Sequence, residues 1–483
     1  MRVVPVVTAR QSRLARAAAS HVSSLVGRVA LSLAVLGSAL AGPAAAQVDE
    51  ERLRLMHETI SYTDVIDAFD GQDRFDLNVH LEYARLRDTG TVVRERTLAD
   101  GTRGEVEVLR SLREVSQLSL GADVGLYHDV MAFVRMPLIL SESRRLTLPS
   151  GVTLEQAQDA LTDANGPSGS DSTLFSLPFR SPTRAGLDFL AVGGAWALLN
   201  QMRRPWLPTW VVRLEGRRAV GKTLHACRES EQGNVCGSQS NEDRDLDGRP
   251  DGTASKQARA GSSRGMSALL IETRFSRRFR RAEPYAGLSL LLEWPALHGA
   301  ARAAYQPDDY GHARPGPQTS ATLGLALVPW EDRGSWQRLV LDARLLATHL
   351  GRGTEYSALF DALGTSPDPA LAASRAGMDF RGMTEVEAHL RYGGQLSVEV
   401  QAARYVRFAL GSWLQWVTEH ALTGRDACGA PARAGNVAPT DGRVCDGGKA
   451  DARERGVIDA PGRRFFLRDQ LLLGIYAQAT ATF

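Results

Sequence analysis

The chain has 483 residues, with 57 basic and 55 acidic side chains and a formal net charge of +2. A balance this close to neutral lacks the concentrated basic face of a nucleic-acid binder. No apolar stretch of helix-spanning length follows residue 46, so any membrane span must be made by strands.

Residues 1–46 read as a signal peptide. Arg2, Arg10, Arg13, Arg16 and Arg28 precede the apolar run Val29 to Leu40, and Ala44-Ala45-Ala46 offers a small-residue cleavage site before Gln47. Cleavage would remove five basic residues and leave the mature chain slightly acidic. Residues 47–74 then form an N-terminal segment ahead of the first strand.

The stretch 75–83, FDLNVHLEY, alternates without exception: Asp76, Asn78, His80 and Glu82 are polar and the residues between them apolar. Residues 118–126 repeat the pattern, and 131–140 follow after a short break at Tyr127-His128-Asp129. Further strands are expected at about 185–199, 209–219, 266–276, 284–294, 318–328 and 337–348. The series ends with 384–402 as one long strand, then 404–417 and 465–483. The total is twelve.

The connections alternate in length. Breaks near 128, 200–208, 277–283, 329–336 and 403 are short, whereas 88–114, 141–184, 219–265, 295–317, 349–383 and 418–464 are long. Strict alternation of this kind predicts an all-β, up-and-down antiparallel transmembrane barrel over residues 75–483, with turns on one side and loops on the other. Aromatics flank both sets of connections. Trp206, Trp210, Phe275, Phe279, Tyr285, Trp330 and Trp336 lie near the short turns, and Tyr83, Trp294, Trp416, Phe465 and Phe466 near the long loops, as two interfacial belts require. Each cysteine pair, Cys227/Cys236 and Cys428/Cys445, falls within one long loop, the pattern of two local disulfides in an exported chain.

The last stretch, LLLGIYAQATATF, carries Leu471, Leu473, Ile475, Ala477, Ala479, Ala481 and Phe483 on one face and ends on an aromatic. It resembles the C-terminal strand of Gram-negative outer-membrane β-barrel proteins, in which a final Phe is read by the barrel-assembly machinery. The resemblance implies an outer-membrane location, the lipid bilayer and the assembly machinery as partners, short periplasmic turns, extracellular loops, and a periplasmic position for residues 47–74.

Three motifs invite other readings. GRRAVGKT, residues 216–223, fits the phosphate-binding P-loop pattern, but no helical periodicity follows it, so it reads as the end of a strand. Gly261-Ser262-Ser263-Arg264-Gly265 fits G-x-S-x-G yet lies in a Gly/Ser loop, not at a nucleophile elbow. Asp243, Asp245, Asp247 and Asp251 have the spacing of a calcium loop with Gly248 at its turn, while Ala254 stands where the bidentate Glu of an EF-hand belongs. Calcium in that loop is one reading and a solvated acidic hairpin the other; no other cofactor is expected.

Phase places Asp76, Asn78, His80, Glu82, Asp123, Arg213, Glu215, Arg217, Glu272, Arg274, Asp342, Arg344, Glu385, Glu387, His389, Arg391, Glu399 and Arg407 on the inward, pore-lining face. Both signs are present, which favours a mutually paired wall over a ring of one charge. His80 and His389 are read as members of that wall, not as metal ligands. The leading function is a passive channel or transporter for small solutes. The alternatives are a non-conducting surface or binding barrel and a lipid-modifying barrel enzyme. An enzyme is not expected, because Ser412 and His420 stand about 26 Å apart along a strand.

Overall fold

Period-two sequence yields strands that can hydrogen-bond on both edges, and here they close on themselves. The computed structural model describes residues 4–5, 60–66, 76–97, 103–162, 173–231, 233–236, 260–296, 314–332, 334–372, 380–403, 405–428, 445, 451 and 453–483. Twelve antiparallel strands follow one another around the barrel. They are β1 (Leu77–Thr97), β2 (Arg103–Tyr127), β3 (Val130–Thr147), β4 (Phe189–Leu199), β5 (Thr209–Ala219) and β6 (Met266–Ser276). The second half comprises β7 (Ala282–Pro295), β8 (Gln318–Asp332), β9 (Gln337–Leu350), β10 (His389–Ala403), β11 (Val406–Val417) and β12 (Phe465–Thr482). Strand β12 pairs back to β1, from Asn78 opposite Thr482 to Arg94 opposite Phe465, and this closes the sheet.

The fold class and strand number expected from the alternation are those of the structure. Outward positions are apolar and exposed on every strand, among them Leu81, Leu120, Val134, Val192, Leu214, Ile271, Leu288, Leu325, Leu345, Leu396, Leu410 and Ile475. Such a girdle is stable against hydrocarbon and not against water. Among the described residues no helix is long and apolar enough to cross a membrane. The tight β2–β3 turn turns on Asp129, at φ 59°, a left-handed position that Asp tolerates.

The long-loop end differs from the sequence reading. Residues 88–114 are mostly not loop: β1 continues to Thr97 and β2 begins at Arg103. Likewise β3 runs on to Thr147. Above the apolar girdle the outward face of β1 turns polar at the exposed Arg85 and Arg87. Higher still, Val92 and Val93 are both buried, so the period-two signal disappears while the hydrogen-bond ladder continues. The expected single strand 384–402 is broken instead. Thr384–Val386 pairs with Gly353–Glu355 outside the barrel, and β10 starts at His389. Two aromatics also leave the expected belts, because Tyr285 points into the barrel and Phe465 is fully buried.

What buries Phe465 is a cap built from the long loops. Its apolar core gathers Val92, Val108 and Leu109 from the β1–β2 hairpin, Leu146, Leu161, Leu174 and Phe179 from the next connection, Leu359, Leu363 and Phe380, and then Leu422, Val457, Ile458 and Leu467. Helix α1 (Leu154–Leu161) turns Ala157, Ala160 and Leu161 into that core. It starts on a capping box, with the Gln156 N–H donating to Thr153 Oγ1 and the Thr153 N–H to Gln156 Oε1. Both expected disulfides are present, Cys227–Cys236 across a two-stranded hairpin and Cys428–Cys445.

Phe465→Ala should remove about 3–5 kcal/mol from the cap core while leaving the membrane girdle untouched. Limited proteolysis of the refolded protein checks this: the loops should become cleavable while the barrel keeps its heat-modifiable electrophoretic mobility.

Candidate functional site

Side chains two apart on a strand share a face, about 7 Å apart, so an acid and an arginine at that spacing can pair along the lumen wall. On β5, Arg213 and Arg217 flank Glu215 at 3.0 and 2.7 Å. On β6, Arg274 meets Glu272 at 2.7 Å, and on β9 Arg344 pairs with Asp342. Between β1, β2 and β3, Asp123 accepts from His80 at 2.5 Å and from Arg135 at 3.2 Å. Glu399 of β10 lies 3.7 Å from Arg338 and 3.8 Å from Arg407.

The N-terminal segment enters this wall. Residues 60–66, part of the segment 47–74 expected ahead of the first strand, lie inside the barrel at its short-turn end. The Tyr62 carbonyl accepts from Arg274 Nη1 at 2.7 Å, and the Tyr62 ring packs on Tyr285 with centroids 4.6 Å apart. A Cβ built on Gly287 would come within 1.9 Å of the Tyr62 hydroxyl, so glycine is what makes room for the ring. Thr63 Oγ1 shares a hydrogen with Ser276 Oγ at 2.7 Å, Ser61 donates to Glu399, and Asp64 lies 3.8 Å from Arg407. At either end of the segment an isoleucine is buried: Ile60 beside Tyr285, Ala326 and Val340, and Ile66 beside Met131, Phe133 and Val211. Nothing in the alternation reports this insertion, because the signal is a single turn whose partners are scattered from Met131 on β3 to Arg407 on β11.

Two cavities lie in the lumen among the described residues. The inner one, about 480 Å³, is walled by the segment's Ile60, Ser61 and Tyr62 together with Glu82, Glu272, Arg274, Asp342, Arg344 and Glu399. Above it an outer chamber of about 370 Å³ lies between barrel and cap. Its wall includes Arg391 and the stacked rings of His389 and His420, 3.9 Å apart at 14°.

Of the other expected lining residues, Asn78 is buried and Asp76 lies immediately before β1. Glu385 and Glu387 are not on the wall. Glu385 belongs to the cap hairpin, bonded to Arg352 and Arg425, and Glu387 is exposed, because the strand breaks before His389. Ser412 and His420 do not share a face: Ser412 is exposed on the outside of β11 and His420 is buried in the chamber wall. The P-loop-like stretch ends β5, with the Lys222 carbonyl accepting from the Ser262 and Ser263 N–H groups and no helix following it among the described residues. Asp243, Asp245, Asp247 and Asp251 lie outside the described residues, as does most of 1–46.

The cap is held by buried ion pairs. Arg184 and Asp361, both almost fully buried, form a bidentate pair, and Arg184 also donates to the carbonyls of His225 (3.0 Å) and Ala260 (3.2 Å). Nearby, Arg425 bridges Glu385 at 3.3 Å and Asp451 at 3.4 Å, and Arg453 joins Asp451 at 3.2 Å. Burial alone would raise the Asp451 pKa, but the two guanidiniums outweigh it and hold the carboxyl below its ordinary value of 3.8.

No protein-family model matches the chain, and no curated protein matches it. Among solved structures it is similar to an outer membrane channel from Pseudomonas putida F1, at 8% identity and TM-score 0.36, over 88% of this chain and 99% of that one. It is also similar to a Pseudomonas aeruginosa FadL homologue (8%, TM-score 0.32, 85% and 90%). A third is the outer membrane protease OmpT from Escherichia coli (8%, TM-score 0.26, 87% and 100%). Scores this low carry nothing about activity.

A depressed carboxyl contributes stability that is present above its unfolded pKa and is lost as pH falls through the folded one. The cap should therefore loosen on acidification below about pH 4. Hydrogen exchange at pH 3 and pH 7 measures it, and Asp451→Asn should flatten the difference.

Proposed function

We propose that this chain is an outer-membrane channel or transporter for small solutes in a Gram-negative cell, closed at its short-turn end by residues 60–66. The observation that carries this reading is the plug itself. A lumen with polar walls holds two cavities among the described residues, and the wall of the inner one is completed by Ile60, Ser61 and Tyr62 of a seven-residue segment tied in by side-chain hydrogen bonds, one aromatic contact and two buried isoleucines. Each such bond is worth only about 0.5–1.5 kcal/mol net, so the segment can leave without unfolding the barrel. The mixed, paired charges of the wall fit weak selectivity between anions and cations.

In this reading the short turns face the periplasm, the cap faces outward, and residues 1–46 are the export signal. Phe483, whose backbone pairs with Leu77 and whose ring is exposed, marks the end of β12 for the barrel-assembly machinery. Calcium at Asp243, Asp245, Asp247 and Asp251 belongs to the same proposal. A non-conducting surface barrel is the second reading, and the apolar core of the cap is what favours it.

Planar-bilayer recording of the refolded protein separates the two. The wild type should show small, intermittent conductance. Deletion of 60–66, or Gly287→Leu, which displaces Tyr62, should raise the open level at least several-fold. Silence of all three proteins in intact barrels would favour the surface barrel.

A further inference from the structure

Among the described residues, one guanidinium of the outer chamber has no direct partner. The wall's other arginines are matched: Arg113 donates to Glu142 at 2.9 Å, Arg144 pairs with the same carboxylate at 3.1 Å, and Arg264 reaches Glu293 and Glu355 at 3.1 and 2.8 Å. Asp88 accepts from Gln470 through both oxygens, at 2.9 and 3.1 Å. The Arg391 guanidinium makes no direct hydrogen bond or ion pair with a described residue, and the carboxylates of Asp88 and Glu355 act on it only from farther off. Its Nε is shut off from solvent, and the rest of the guanidinium lines the chamber. Removing a guanidinium from bulk water without a partner is costly, and a barrel that pairs its other wall arginines has left this one open.

The walls beside it say what kind of partner fits. His389 and His420 turn their Nδ1 atoms to the carbonyls of Glu387 and Thr418, each at 2.9 Å. A carbonyl can only accept, so both Nδ1 atoms carry hydrogen. The rings are nearly parallel, and the in-plane lone pairs of parallel rings cannot converge on one metal ion. They form a flat face instead. Leu350, Leu422 and Leu467 add apolar surface to the same chamber.

We propose that the chamber between cap and barrel binds a small organic anion, its carboxylate on the Arg391 guanidinium and its apolar part against Leu350, Leu422 and Leu467. A carboxylate matches the two-pronged fork of a single guanidinium. A dianion such as phosphate would meet the nearby carboxylates of Asp88 and Glu142, and the apolar wall would be wasted on an inorganic ion. That the bound anion is then transported rests on the channel reading; that it binds does not.

The test is calorimetric titration of the full mature protein in detergent with benzoate, with its uncharged counterpart benzamide, and with inorganic phosphate. Benzoate should bind saturably, and benzamide and phosphate at least about tenfold more weakly. Arg391→Gln should weaken benzoate about tenfold or more, with Arg391→Lys in between. Should Arg391→Gln fail to fold, Leu350→Trp, which fills the chamber and leaves the charge, should abolish binding. Benzoate affinity unchanged in Arg391→Gln or Leu350→Trp, or equal binding of benzamide or of phosphate, would overturn the inference. Arg391-dependent binding in a protein that never conducts would sink the channel reading alone; conductance without such binding would sink this one.

Discussion

The constraint on which the rest of the structure depends is that no backbone N–H or C=O may be left unpaired within hydrocarbon. The chain meets it by bringing its last strand back to its first, Asn78 opposite Thr482 through Arg94 opposite Phe465. Once the sheet is closed, every second side chain is forced inward, wherever its chemistry would prefer to be. The inward face then has to neutralise itself, and the arginine–acid pairs two residues apart on β5, β6 and β9 do so within single strands. Those pairs need no cooperation from a neighbouring strand, so much of the wall charge is neutralised whatever the strand register.

The same rule explains what could be read from the residues alone. All twelve strands were legible because hydrocarbon outside and polar lumen inside write a two-letter alternation, as in FDLNVHLEY. The alternation stops being informative where that contrast stops. At Val92-Val93 both faces of β1 are apolar because the cap covers one of them, and Arg85 and Arg87 have already ended the lipid-facing stripe. A loop was expected where the ladder in fact continues. The break before His389 was hidden for the opposite reason: Thr384–Val386 keeps the right phase while pairing with a different partner. Of the lumen, the charged wall was visible as phase, whereas the Tyr62 socket over Gly287 was not, since a socket is a three-dimensional fit between distant residues.

Buried ion pairs divide the molecule into two electrostatic regimes. In the cap, Arg184 and Asp361 are removed from water and held by further carbonyls and N–H groups, an arrangement that costs desolvation and returns geometry. It joins residue 361 to residues 184, 225, 227 and 260, which fixes how separate loops sit on one another. In the lumen the Glu272–Arg274 and Asp342–Arg344 pairs line the inner cavity, where they can be solvated and exchanged. A rigid lid over an adaptable interior follows from where each pair is placed.

The cap core has an implication for the route by which the chain becomes native. It draws on Val92 at one end and on Phe465 and Leu467 at the other, the latter two from the last strand to emerge. Its apolar contacts therefore span nearly the whole sequence, the kind of high contact order that delays folding. The lid cannot condense around a half-built barrel, and the outer loops must cross the membrane before the core that will hold them exists. Completion of the wall and sealing of its mouth are in this way one event, timed by the arrival of β12.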